Sequence, residues 1–322
     1  MNLERRPLLS VVVIGLNEQD RLQASLEAVF ATKPQGCELE VFYVDSGSTD
    51  RSVEIASAVP GVEVLHIGGG RRSAARARNV GLRRVKGEFV QLVDGDSVLQ
   101  QGWLARAVGV LEQQPQIACV FGSCIEMYPD QSIYMKVCGF DWHIPPGERR
   151  FCGGNSMWRV SVIAEHGYFD EEIRAGEEPE LCYRVRHEGG RILCLDVPMV
   201  THDLGMRRFA QYWQRGVTSG SAYAAIALRY WRNREKLWLR EMLVNFAEPV
   251  IWFALFFGSW RLFGWAATVA LMVGWWLLRS VQIAIGIRHR QLGWGNSLMY
   301  GLHCQFIRLP AAVGQLKTLL GR

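Results

Sequence analysis

Short, continuous apolar runs alternate with amphipathic segments over the first third of the chain. The apolar runs predict buried strands at residues 9–14, 39–44, 62–67 and 88–93. Apolar positions at helical spacing predict helices between those strands, at residues 21–32, 51–58 and 74–85. Alternating strands and helices in units of roughly thirty residues predict right-handed βαβ crossovers. The pattern therefore indicates an α/β fold built on a parallel sheet.

Beyond residue 240 the pattern changes to long apolar segments. Residues 242–260 and 262–287 each approach the roughly 20 residues that cross a bilayer. Because they are separated by little more than Arg261, they predict a tight membrane hairpin. A charge inside lipid is costly, so we expect Glu248 to pair or to face protein. A third, weaker run at residues 297–313 either spans the membrane or lies at its interface.

A basic and aromatic segment precedes the apolar region. Arginine and lysine alternate with tyrosine and tryptophan over residues 229–241, which predicts an interfacial helix on an anionic leaflet. Positive charge at this point predicts that the preceding domain faces the cytoplasm. We therefore expect a globular domain at residues 1–228, the interfacial helix at 229–241, and a membrane region of two or three helices at 242–322.

Composition adds limits to this picture. The chain has 322 residues, a formal net charge of +5 and eight cysteines, none of them in a C-x-x-C pair. The cysteine spacing does not suit a zinc site, so reduced, mostly buried thiols in a cytoplasmic domain are expected. Arg5-Arg6 precede only a short apolar stretch at residues 8–16 without a small-residue cleavage site, so no secretory signal is predicted.

Paired carboxylates end the fourth predicted strand. Asp94 and Asp96 flank Gly95 directly after the apolar run at residues 88–93. Ligands bind at the carboxyl ends of strands in open α/β sheets, and two hard oxygen ligands there suit a divalent cation. An Asp-Gly-Asp sequence by itself is also typical of a plain turn. The neighbouring motifs decide between these two interpretations.

A glycine-rich loop follows the third predicted strand. Gly68-Gly69-Gly70 lacks the third glycine and the position that a dinucleotide fingerprint requires, and the chain contains no Walker A sequence. The loop is therefore either a plain flexible connection or a mobile basic loop beside phosphates, since several arginines follow it. These are Arg71, Arg72, Arg76 and Arg78.

Eight short motifs follow one another in a specific order. They lie at residues 10–14, 17–18, 44–50, 77–81, 94–96, 153–155, 167–170 and 176–181. In order and spacing they resemble the family-2 glycosyltransferases over roughly residues 8 to 220. The resemblance implies a GT-A fold, with a mixed, mostly parallel sheet flanked by helices. In this chain the fold is followed by the predicted C-terminal membrane helices.

The resemblance implies roles for the donor-binding residues. Nucleotide-sugar-binding positions are Asn17, Glu18, Asp45, Arg78, Asp94, Gly153, Gly154 and Asn155. Within this set Arg78 is expected to contact the diphosphate, and the Gly-Gly-Asn loop is expected to lie under the sugar. The alternative interpretation of Asp45 is that it is only a turn residue. Asp96 is expected to ligate a Mg²⁺ or Mn²⁺ ion, assisted by Asp94. His202, after a later strand, is either a third metal ligand or a structural histidine.

A second carboxylate group lies at residues 176–181. The family has a Glu-Asp pair here whose Asp acts as general base, whereas this chain has Glu177-Glu178. The resemblance makes Glu178 the base, with Glu177 as the alternative, because one extra methylene shifts the carboxylate. An acceptor that is already ionised, such as a lipid phosphate, requires no strong base. The alternative without a catalytic role is an acidic first turn of a helix, which the helix dipole stabilises.

These observations predict a membrane-bound, metal-dependent, inverting glycosyltransferase in the cytoplasmic membrane. Its expected partners are a nucleotide-sugar donor, a lipid-linked or glycan acceptor and the membrane, with no nucleic acid. A processive polysaccharide synthase is the first alternative, but residues 211–216 do not match the Gln-x-x-Arg-Trp sequence of such enzymes. A non-catalytic membrane scaffold with the same fold is the second alternative.

Overall fold

The computed structural model describes residues 7–321, which form two compact units. One unit comprises the chain up to Met127 together with Ile144–Leu204, and the other comprises Tyr128–His143 together with the chain from Gly205 onward. Arg5 and Arg6, on which part of the signal-sequence prediction rests, lie outside the described residues.

The first unit contains nine strands and six helices among the described residues. The strands are β1 (Leu8–Gly15), β2 (Glu38–Asp45), β3 (Val62–His66), β4 (Phe89–Asp94), β5 (Ser97–Leu99), β6 (Ile117–Glu126), β7 (Gly147–Arg149), β8 (Ser156–Arg159) and β9 (Arg191–His202). The helices are α1 (Leu22–Ala31), α2 (Ser52–Ala58), α3 (Ala74–Leu82), α4 (Trp103–Gln113), α6 (Val160–Glu165) and α7 (Glu177–His187). The predicted alternation of strands and helices up to β4 matches these elements to within a few residues at each end.

One half of the sheet is parallel, as predicted. The sheet order is β3-β2-β1-β4-β8-β6-β9-β5, with β7 beside β9. β1 lies between β2 and β4, and the residue pairs Gly15–Asp45 and Ile14–Asp94 align the last positions of these strands. The carboxyl ends of β1, β2 and β4 therefore meet at one edge of the sheet.

The other half of the sheet is mixed. β8 is antiparallel to β4 and β6, while β6 and β9 are parallel. β8 ends at Arg159, and α6 begins at Val160. Arg159 pairs with Phe89, the first residue of β4, so the chain has no strand partner beyond that point and turns into a helix.

Apolar side chains fill both faces of this sheet, and one polar contact is buried among them. Gln91 of β4 is fully buried, accepts a 2.8 Å hydrogen bond from the Trp103 indole, and donates to the carbonyl of Leu92 at 2.8 Å. Buried polar groups are tolerated when their hydrogen bonds are made. The contact fixes α4 against the centre of the sheet.

The second unit is helical in its described part. It contains α5 (Ile133–Gly139), α8 (Phe209–Tyr230), α9 (Leu239–Gly286), α10 (Trp294–Phe306) and α11 (Arg308–Leu319). The interfacial helix predicted at residues 229–241 is instead the end of α8, a non-helical segment and the start of α9. Lys236 and Trp238 have φ angles of 47° and 58°, in the left-handed region that interrupts a helix. The Trp238 and Tyr223 rings pack edge to face with their centroids 4.9 Å apart. The helical periodicity of the sequence does not predict this contact.

The apolar segment forms a hairpin within α9. Gly264 has φ 78° and ψ 177°, which breaks the run into two helical halves. The halves contact each other, since the rings of Trp252 and Trp276 lie 5.2 Å apart and Arg279 donates to Glu248 at 3.0 Å. By length and composition α9 can cross a membrane, and most of its apolar side chains are exposed. Glu248 is paired, as expected for a carboxylate in such a segment.

Small residues let two helices of the second unit approach closely. A Cβ at Gly220 of α8 would overlap the backbone of Ala311 in α11, and one at Gly314 would overlap the carbonyl of Val217 in α8. The Ser221 hydroxyl donates to the Gly314 carbonyl at 3.0 Å. Close backbone contact between small residues is a common way to pack apolar helices. The α8–α11 pair holds the last helix of the chain.

Gly314→Ala should therefore lower stability even though alanine is the better helix former. The new methyl group overlaps backbone atoms that cannot rotate away, so we expect a loss of about 2 kcal/mol, seen as a lower Tm in detergent. Gly258→Ala in α9 is the matched control, because nothing lies within 4 Å of its added Cβ. The control should leave the Tm unchanged or raise it. Equal effects of the two substitutions would contradict the proposed close contact.

Candidate active site

A cavity of about 280 Å³ lies at the carboxyl ends of β1, β2 and β4. Its lining residues are Ile14, Gly15, Leu16, Glu18, Ser46, Arg72, Ser73, Ala74, Asp94, Gly95 and Asp96. The strand register explains why these residues lie together, because the adjacent parallel strands β1, β2 and β4 end at the same edge of the sheet. The cavity thus lies where open α/β sheets bind their ligands.

The loop after β2 closes one side of this edge. The buried Asp45 carboxylate accepts hydrogen bonds from the backbone of Gly47 at 2.8 Å and of Ser48 at 3.0 Å. The side-chain oxygen of Asn17 accepts a 2.8 Å hydrogen bond from the Thr49 backbone N–H. The backbone N–H of Asn17 donates to the Ser48 hydroxyl at 2.9 Å. Asp45 therefore shapes the loop as a turn residue does, and Asn17 ties the loop after β1 to it.

Glu18 forms a charged chain with two further residues. Its carboxylate pairs with Arg21 at 2.6 Å, and Arg21 reaches the Asp203 carboxylate at 3.7 Å. Burial raises the pKa of Glu18 to about 7, with a further contribution from the negative charge of Asp96, while Arg21 acts in the opposite direction.

Asp94, Asp96 and His202 form a candidate metal site. Their ligand atoms all lie within 4.8 Å of one another, and His202 Nε2 is 3.2 Å from Asp96 Oδ1. The antiparallel pairing of β5 with β9 brings them together, because Ser97 is in register with His202. Burial raises the pKa of Asp96, but the hydrogen bond and charge of His202 outweigh it, so that the pKa lies below its usual range. Two carboxylates with one imidazole suit a cation such as Mn²⁺.

Arg78 of α3 joins motifs that are far apart in the sequence. Its Nη1 lies 2.8 Å from Glu177 Oε1 and 3.0 Å from Glu178 Oε1, and its Nη2 lies 2.9 Å from Asp94 Oδ1. The side chain is only 3% exposed. Burial lowers the pKa of Arg78, but the three carboxylates outweigh this effect and raise it. Arg78, expected at the diphosphate, thus directs its guanidinium to these carboxylates.

The two glutamates at the start of α7 differ in accessibility. Gly176 precedes the helix with φ 90°, so the acidic first turn begins directly after a left-handed residue. The Glu177 side chain is 6% exposed and that of Glu178 is 17% exposed. Burial raises the pKa of Glu178, and the charge of Glu177 raises it further, to about 8, although Arg78 lowers it. A partly exposed carboxyl with a raised pKa suits a proton acceptor near neutral pH.

The Gly-Gly-Asn loop packs directly on Asp94. Asn155 accepts a 3.0 Å hydrogen bond from the Asp94 backbone and donates to the Ser97 hydroxyl at 3.2 Å. A Cβ at Gly154 would lie 2.5 Å from Arg78 Nη2 and 2.7 Å from an Asp94 carboxylate oxygen. A larger residue would have to displace both side chains, so glycine at position 154 leaves the space that the Asp94–Arg78 pair occupies. Gly153 has no atom within 4 Å of an added Cβ.

Some contributing residues were not identified from the sequence. Arg21 links Glu18 to Asp203, and Asn79 donates to the Phe169 carbonyl at 2.8 Å and accepts from the Phe169 amide at 3.0 Å. Arg21 lies three positions after the motif at residues 17–18, and Asn79 lies inside the motif at residues 77–81, so the motifs are the signal that could have identified them. The Trp158 indole is fully buried in the core, so it is not available to stack on a sugar.

Comparisons with known proteins agree with this arrangement. Residues 10–162 match the family described as Glycosyl transferase family 2. A pre-mycofactocin glycosyltransferase of Mycobacterium tuberculosis is 26% identical over 205 residues, with 60% of this chain and 43% of that protein covered. A glucosyl-dolichyl phosphate glucuronosyltransferase of Haloferax volcanii is 23% identical over 233 residues, with 63% and 74% covered. The chain thus spans less than half of the first relative's length.

The likeness extends to solved structures. The mannosyltransferase PcManGT from Pyrobaculum calidifontis, in complex with GDP-Man and Mn²⁺, has a TM-score of 0.69 and 19% identity, with 99% of this chain and 89% of that chain covered. At this identity the likeness concerns the fold, and it confirms the GT-A architecture expected from the motifs. Residues 10–162 of this chain therefore form a glycosyl transferase family 2 domain.

Proposed function

We propose that the chain is a membrane-bound, inverting glycosyltransferase. It transfers one sugar from a nucleotide-sugar donor to a lipid-linked or membrane-proximal acceptor, with its GT-A unit on the cytoplasmic side. The observation that carries this proposal is the Arg78 guanidinium, which holds Glu177 and Glu178 beside Asp94. A proton acceptor thereby lies next to the metal-binding carboxylates, as transfer of a sugar requires.

The donor occupies the cavity at the strand ends in this proposal. Arg72 lines the cavity and supplies positive charge for the phosphates, and Asn17 and Asp45 shape the loop beside the nucleotide. Asp96, Asp94 and His202 would hold Mg²⁺ or Mn²⁺. The bound cation supplies positive charge that stabilises the nucleoside diphosphate as it leaves. PcManGT, a protein of similar fold, binds GDP-Man and Mn²⁺, which supports this class of donor.

Glu178 acts as the general base in this proposal. Its carboxylate accepts the proton from the acceptor hydroxyl while that oxygen attacks the anomeric carbon from the side opposite the diphosphate, so the configuration inverts. Glu177 is buried against Arg78 and balances the guanidinium charge. The charge of Arg78 lowers the pKa of Glu178, which opposes the effect of burial and favours the ionised form that a base needs.

The apolar C-terminal region indicates which class of acceptor we propose. The exposed, apolar α9 hairpin would anchor the chain in the membrane and bring the catalytic unit to its surface. One relative of this chain is named as acting on a glucosyl-dolichyl phosphate, which is a lipid-linked acceptor. A lipid-linked acceptor is therefore the class that we propose for this chain.

Asp96→Ala should abolish metal-dependent hydrolysis of nucleotide sugars by the full chain. Because Asp96 is proposed to share the cation with the diphosphate, the substitution should weaken nucleotide binding in Mn²⁺ but not in excess chelator. Asp196→Ala, which removes an exposed carboxylate from the same strand as His202, is the matched control. Full turnover of the unmodified enzyme in chelator would refute the metal assignment.

Glu178→Gln should lower turnover by roughly 10²-fold or more at nearly unchanged donor affinity, as expected when a general base is removed. The substitution keeps the size of the side chain and leaves the metal-binding carboxylates in place. Glu177→Gln is the comparison variant: it weakens the charge balance around Arg78 but should keep more turnover than Glu178→Gln. A dead Glu177→Gln beside an active Glu178→Gln would move the base by one position. Activity of both variants would instead indicate an acceptor that arrives ionised.

Impermeant maleimide labelling tests the proposed orientation in intact cells that express the full chain. Leu262 lies beside the break at Gly264 and is 75% exposed, while Leu228 of α8 is 47% exposed. Leu262→Cys should label from outside the cell, and Leu228→Cys should label only after the membrane is permeabilised. Labelling of Leu228→Cys in intact cells would reverse the orientation.

A further inference from the structure

A three-residue ionic cluster lies at the base of the α9 hairpin. Glu248 of the first half receives Arg279 of the second half at 3.0 Å and also pairs with Arg308, the first residue of α11. The side chains of Glu248, Arg279 and Arg308 are 16%, 32% and 19% exposed. We call these three residues the basic triad.

The basic triad has more positive than negative charge. It contains two guanidinium groups and one carboxylate, and neither arginine pairs with a second acidic side chain among residues 7–321. Arg279 has one further acceptor, the Gln282 amide oxygen at 2.9 Å, which is neutral. A net charge in a partly buried, apolar setting is costly unless a counter-ion compensates it. The triad therefore favours an anion.

The position of the triad along the hairpin sets its depth in the membrane and therefore indicates which anions it can contact. Glu248 lies about 16 residues before Gly264 and Arg279 about 15 residues after it, so both are roughly 23 Å from the break at 1.5 Å per residue. If the hairpin crosses the roughly 30 Å hydrocarbon layer, this distance puts the triad near the interface where the chain enters. The triad then lies about 7 Å inside that interface, and the long arginine side chains reach from there toward the lipid phosphates.

We propose that the basic triad binds the phosphate of a membrane lipid. Arginine side chains bind phosphate through paired, charge-assisted hydrogen bonds, and basic pockets between membrane helices on the cytoplasmic side recognise phosphorylated head groups. The inference rests on the membrane placement proposed above. The phosphate belongs either to an anionic phospholipid or to a polyprenyl phosphate of the kind that carries sugars.

Glu248 is the competitor of the lipid in this site. Its carboxylate holds both arginines in the structure, so an incoming phosphate must share them with it. Removing that carboxylate should therefore strengthen lipid binding while removing an arginine should weaken it. A triad that served only to hold the helices together would lose stability in both cases and would gain no affinity.

Lipid titrations of the full chain in detergent test this proposal. Native mass spectrometry would count phosphatidylglycerol, polyprenyl phosphate or phosphatidylcholine retained by each variant, with inorganic phosphate as a further probe. Arg308→Gln and Arg279→Gln should each weaken binding of the phosphate lipid by about tenfold or more, the factor for losing one charge-assisted hydrogen bond. Glu248→Gln should tighten it several-fold. Arg288→Gln, which removes an exposed charge nearby in sequence, should change nothing.

Each outcome has a distinct meaning. Preference for polyprenyl phosphate over phosphatidylglycerol identifies the acceptor lipid, and equal binding of the two identifies a general head-group site. Equal retention by the unmodified chain and the arginine variants, or weaker retention by Glu248→Gln, overturns the proposal. Glu248→Gln keeps the test valid if an arginine variant fails to fold. Carbonate extraction of the unmodified chain from membranes tests the membrane placement separately, since release would refute the placement without lipid data.

Discussion

The buried guanidinium of Arg78 is the contact on which the site depends. Three carboxylates from two distant segments converge on it, and without a cation between them they would repel one another. Removing the partner of a buried charge is more costly than removing a surface ion pair. The same guanidinium fixes the distance between the metal-binding strand end and the first turn of α7.

Strand pairing supplies the other half of the site. The short β5 would have little stability by itself, yet its antiparallel register with β9 sets His202 beside Asp96. Asn155 accepts a hydrogen bond from the Asp94 backbone on the other side, and Gly154 leaves space for the Asp94 carboxylate. The candidate metal ligands are thus fixed by backbone pairing and by a close-packed loop, which keeps them in place before any cation binds.

The helical unit is held together by a different kind of contact. Glycines on α8 and α11 let backbones touch, and the two halves of α9 meet through aromatic rings and the basic triad. Such contacts remain favourable in lipid, where burial of apolar surface between helices supplies no driving force. In the proposed membrane setting, the few charged residues of this unit would therefore concentrate where the hairpin meets the interface.

The sequence alone determined the α/β alternation up to Asp94, the family motifs, the paired carboxylates and the apolar hairpin, because these features are written in neighbouring residues. It did not reveal that Arg78 faces carboxylates or that residues 229–241 break into a turn. It also could not assign residues 128–143 to the helical unit. Those features depend on which distant groups meet. Sheet register and helix packing decide that, and local periodicity contains no record of either.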